Sequence, residues 1–81
     1  MQLDREISEA ILSATTARGS EKSICPSEIA RVLYPDDWRK YMKDIVEVAI
    51  ELQHQGKVII TQNGEAVDIA HIKGPIRIKS R

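Results

Sequence analysis

The sequence predicts an α+β domain of winged-helix type, three helices followed by a small antiparallel sheet. Three observations lead there. Apolar residues recur at helical spacing as far as Leu52. After Gly56 the pattern turns β-branched and alternating, as strands require. Between the second and third helical patterns stands only Tyr34-Pro35-Asp36, a tight helix-turn-helix-like corner. The chain's 81 residues suffice for a single domain, spanning 1–81, with one small core.

The first helix is expected over 3–18. Leu3, Ile7, Ala10, Ile11 and Ala14 make one apolar stripe. Asp4, Glu6 and Glu9 lie near its start, where the helix dipole favours acids. Gly19 follows Arg18 as a natural stop. Residues 20–24 form a polar connector with room for a brief edge strand at Ser23-Ile24.

The second helix opens at Cys25-Pro26-Ser27-Glu28. Proline suits the first helical position because its missing N–H costs nothing there. Glu28 falls at the reciprocal position of a capping box, with Cys25 where Ser or Thr is usual. Ile29, Val32 and Leu33 give the expected buried stripe, and Pro35 ends the helix near Tyr34.

The third helix is expected over about 37–55, capped by Asp36 or Asp37. Trp38, Met42, Ile45, Ala49 and Leu52 form its seam, widened by Val46 and Val48. Gly56 stops it. A strand is expected at Lys57–Thr61, then an Asn63-Gly64 hairpin turn and a short return over Glu65–Ile69. His71–Gly74 reads as loop. Pro75–Lys79 alternates as a half-buried strand, with Ile76 and Ile78 inward and Arg77 and Lys79 facing water.

Composition narrows function without choosing it. Twelve basic residues balance twelve acidic ones. That excludes a strongly basic nucleic-acid sponge but leaves room for a local basic face. Residues 1–37 carry a net charge of −3 and residues 38–81 a net of +3. Such polarity can orient a domain on a polyanion. No membrane span is expected, because no apolar run exceeds three residues. The first residues lack the layout of a signal peptide. A single cysteine fits a reducing, cytoplasmic setting.

Several strings resemble a small bacterial family, domain of unknown function 3253. They are Ile24-Cys25-Pro26-Ser27-Glu28-Ile29-Ala30-Arg31, then Trp38-Arg39 with Met42, then Ala49, Leu52 and Gly56. Ile60-Thr61-Gln62, Gly64, Val67-Asp68 and Gly74-Pro75-Ile76-Arg77 continue the likeness, which covers roughly residues 5–79. The resemblance implies a winged-helix-like fold and brings no established activity. At Val46-Glu47 the chain departs from the family pattern, which would have a basic residue there.

The leading expectation for function is nucleic-acid binding, to duplex DNA, through helix three and the wing. Arg39, Lys40 and Lys43 lie in the first turns of the helix that winged-helix proteins usually place in the major groove. Asp44, Glu47 and Glu51 make the other half of that helix acidic. Lys73, Arg77 and Lys79, with Arg81, can add wing contacts to phosphate. Ser27 can add a contact at the start of helix two. The alternative for these charges is an ordinary solvated surface. Arg39 and Arg77 have a second alternative, pairing with Asp36, Asp37 or Asp68 in a structural clamp of the wing against helix three.

A protein partner or homodimer is the rival function, through Tyr41, Val46 and Ile50, and zero net charge suits it. Trp38 is expected to pack in the core, where its N–H needs one partner. Cys25 stands at a helix start, a place that can activate a thiol, but no histidine has a spacing that pairs with it. A small capping residue is the expectation there. No metal-ligand spacing, cofactor fingerprint or catalytic set occurs, so no enzyme, metal or cofactor is predicted.

Overall fold

A computed structural model describes residues 2–19, 21–62, 65–66 and 76–81. Helix α1 spans Gln2–Arg18, strand β1 Ser23–Ile24 and helix α2 Pro26–Leu33. A 3-10 turn at Trp38–Tyr41 leads into helix α3, Met42–His54. Strands β2, β3 and β4 are Val58–Gln62, Glu65–Ala66 and Arg77–Ser80. The fold is α+β and winged-helix-like, as the sequence predicts.

In α1, Ile7 and Ile11 are fully buried and Thr15 extends the same stripe. The Thr15 hydroxyl donates to the Ile11 carbonyl at 2.9 Å, so a polar residue sits in the core without an unmet donor. Gly19 takes φ +84°, and its N–H returns to the Thr15 carbonyl at 3.1 Å to close the helix. The expected stripe residue Leu3 and the acid Asp4 have side chains outside the described set.

The capping motif of α2 is present. Glu28 accepts from the Cys25 N–H at 2.7 Å, and the Glu28 N–H donates to the Cys25 carbonyl at 3.0 Å. Pro26, Ile29 and Ala30 face the core. Val32 does not: it is 76% exposed. At about 100° per residue it lies well round the helix from the buried set, so its place in the predicted stripe is corrected.

The predicted third helix is also corrected at its start. It does not run α-helical from residue 37. The Asp37 N–H bonds the Tyr34 carbonyl at 3.1 Å and the Lys40 N–H bonds the Asp37 carbonyl at 2.9 Å. These i→i+3 bonds turn the chain more tightly than an α-helix does. The Asp37 side chain makes no capping bond. Beyond Met42, Ile45, Val48, Ala49 and Leu52 are buried as expected. Gly56, at φ +76°, ends the run.

Among the described residues the strands order as β1-β4-β2-β3, each neighbouring pair antiparallel. Strand β4 is therefore interior. Its Ile78 stands opposite Ile24 on one side and Ile60 on the other. These three, with Ile76 and Val58, complete the core against the helices. Among the described residues β3 pairs with Thr61 and Gln62. Beside it, the Ile60 N–H donates to Gln53 of α3 at 2.7 Å, which ties the helix to the sheet. Of the predicted return strand, Glu65–Ala66 is seen. The Asn63-Gly64 turn, residues 67–69 and the His71–Gly74 loop lie outside the described residues. The last strand begins at Arg77, two residues later than predicted, and reaches Ser80. Among the described residues no helix is long and apolar enough to cross a membrane.

Candidate nucleic-acid interface

Pro35 breaks α2, and the 3-10 turn carries the chain back toward α3. This brings Arg31, in the last turn of α2, next to Trp38. The Arg31 guanidinium carbon lies 4.4 Å from the indole centroid, and that of Arg39 lies 5.0 Å from it. Both are within cation–π range. Trp38 is half-buried and packs at the edge of the core, so it serves both core and surface. Lys40 is exposed on the same connection and Lys43 in the first turn of α3.

Tyr34 and Tyr41 bracket this corner and stack at 3.9 Å with an interplanar angle of 23°. The Tyr34 hydroxyl is buried and has no hydrogen-bond partner among the described residues. Burial pushes its pKa up, and the charges of Glu6 and Asp44 add to the effect. With Tyr41 held in the stack and Val46 and Ile50 half-buried against the core, the expected protein-contact patch is largely taken up by packing.

Among the described residues the ion pairs are Arg5–Glu9 and Arg18–Glu28. Neither involves Arg31, Arg39, Lys40 or Lys43. Asp36 and Asp37 line a shallow depression of about 260 Å³ with Trp38, Arg39 and Lys40, so some negative charge stands at its rim. The outer side of α3 carries Lys43, Glu47, Glu51 and His54, all exposed. A wider groove between α1 and α3, about 500 Å³, has Glu47 and Glu51 among its walls and does not suit phosphate. Along the 3-10 turn and α3, the lysines and arginines thus stand only at the start, at Arg39, Lys40 and Lys43.

The remaining predicted residues are elsewhere or otherwise engaged. Arg77 opens β4, and its guanidinium is spread over the β1–α2 junction. Nε donates to Ser23 Oγ at 3.1 Å, Nη2 to the Ser23 carbonyl at 3.1 Å, and Nη1 to Cys25 Sγ at 3.0 Å. Arg18 donates to the same carbonyl at 3.3 Å and pairs with Glu28. Among the described residues Arg77 is therefore a clamp onto Ser23 and Cys25 and not onto Asp36 or Asp37, and Asp68 lies outside the described residues. Glu28 is held below its ordinary pKa chiefly by the Cys25 N–H; burial opposes this as the next largest effect, and Arg18 and then Arg77 add to the lowering.

Lys79 is half-buried on interior strand β4, between Ser23 and Ile59. Ser27 is half-buried at the second position of α2, one turn before Arg31. Lys73 lies outside the described residues. Sequence reasoning assigned no role to Arg31. The available signal was its place between Ala30 and Val32, off the apolar side of α2 and near the corner.

A family model described as Protein of unknown function (DUF3253) matches residues 4–81. No curated protein matches the chain.

Proposed function

We propose that this chain, which belongs to the family described as Protein of unknown function (DUF3253), is a nucleic-acid-binding module that takes duplex DNA at the α2–α3 corner. One observation carries the reading: Arg31, Arg39, Lys40 and Lys43 surround an exposed corner, and no ion pair among the described residues neutralises them. Cations of this kind supply sequence-independent affinity for a phosphate backbone. The acidic half of α3 argues for an approach by the start of that helix, with Glu47 and Glu51 turned away from the duplex. The role is binding without catalysis, and Cys25 takes no part in it.

The test is fluorescence anisotropy of a labelled random duplex across a salt series. Replacing Lys40 and Lys43 together with glutamine is expected to weaken binding and reduce the salt slope by about 0.9 per lysine. Unchanged affinity and slope would remove the start of α3 from the interface. A second reading, a protein contact or homodimer, rests on Val32, whose exposure of 76% places an apolar side chain beside Arg31. Sedimentation of the wild type and Val32→Glu checks it, since a dimer through this patch is expected to dissociate in the variant.

A further inference from the structure

The chain's single tryptophan carries two arginines. Arg31 comes to Trp38 from α2, and Arg39 comes from the 3-10 turn that follows it in space. Two guanidinium groups on one ring repel each other. The negative face of the indole offsets that repulsion and limits the rotamers each long side chain samples. Among the described residues neither arginine is in an ion pair, and no hydrogen bond takes up its N–H donors. The donors are thus held in place and left open. Planar guanidinium forks of this kind match phosphate oxygens in pairs, which a lysine ammonium does not.

We propose that Arg31 and Arg39, positioned by Trp38, form a two-guanidinium clamp for the phosphodiester backbone of bound DNA. The inference rests on the nucleic-acid reading above and deepens it. The clamp reads phosphate and not base identity, because the indole is committed to the arginines and to the edge of the core. Trp38 acts as a positioning residue and makes no contact with the nucleic acid.

The experiment is the same duplex titration with a fuller set of variants. Arg31→Gln and Arg39→Gln are each expected to weaken binding about tenfold at low salt, with a salt slope lower by about 0.9. Arg31→Lys with Arg39→Lys keeps the slope but loses affinity, because charge remains and the forks do not. Trp38→Phe retains most of the affinity. Trp38→Leu weakens it, and Arg31→Gln then adds little in that background. Should Trp38→Leu fail to fold, the exposed arginine variants and Trp38→Phe decide the matter alone. Binding by the wild type that Lys40→Gln with Lys43→Gln weakens, while both arginine variants leave it unchanged, overturns the clamp and keeps the function. No wild-type binding at low salt overturns both.

Discussion

Arg77 Nη1 and Cys25 Sγ lie 3.0 Å apart, so the opening of β4 and the cap of α2 are joined across 52 positions of sequence. The same guanidinium holds Ser23 twice. A residue expected to touch phosphate instead stitches the sheet to the helix layer. Arg77→Ala is expected to lower stability by about 1–2 kcal/mol, a figure reduced from full charged hydrogen bonds because the site is exposed. Urea denaturation measures that loss. Duplex affinity in the same variant is expected to change little, which separates the clamp from the interface.

Glu28 adds a pH dependence. Its carboxyl is held below the ordinary value of 4.5, chiefly by the Cys25 N–H. A lowered folded-state pKa gives stability that is present above the unfolded value and lost as pH falls through the folded one. Acid is therefore expected to weaken the fold progressively below about pH 4.5. Glu28→Gln is expected to be less stable than the wild type at pH 7, by about 1 kcal/mol, and to lose less on acidification. Thermal melts of both proteins between pH 7 and pH 3 check the sign.

Tyr34 tests the opposite kind of feature. Its buried hydroxyl has no partner among the described residues, while its ring stacks on Tyr41. Tyr34→Phe keeps the ring and removes the unsatisfied group. The substitution is expected to be neutral or to raise stability by about 1 kcal/mol. A clear fall in the urea midpoint would mean that the hydroxyl has a partner in solution.

Gly56 ends α3 at φ +76°, and a Cβ added there meets nothing within 4 Å. The cost of Gly56→Ala is then backbone strain alone, about 1 kcal/mol. Gly56→Asn is expected to cost less, since asparagine adopts this conformation more readily. Comparing the two denaturation midpoints isolates conformational strain from crowding.

The order of elements was legible because periodicity reports it directly. Ile7 and Ile11, Ile45 and Leu52, and Ile76 and Ile78 are all buried as their spacing required. The Cys25-Pro26-Ser27-Glu28 start was legible for the same reason, since capping chemistry is local. Val32 was misplaced because an eight-residue helix offers too few turns to fix the centre of its stripe. The 3-10 start of α3 was hidden because the i→i+3 bonds at the corner arise from how two helices meet, not from any residue's preference. At the site, Lys40 and Lys43 are exposed where the pattern put them. The pairing of Arg31 with Trp38 joins residues on two elements, and no spacing rule announces it.

The strand order β1-β4-β2-β3 has a consequence for how the protein is made. Synthesis delivers β1 and β2 first, yet both hydrogen-bond to β4, which emerges only at residues 77–80. Until then Ile24 and Ile60 have no strand between them, and the helices alone must shelter a half-built apolar layer. The nascent chain is therefore most exposed to chaperones and proteases between the appearance of β2 and the arrival of Ile78. Substitutions that slow the insertion of β4 should lower cellular yield more than they lower the stability of the finished domain.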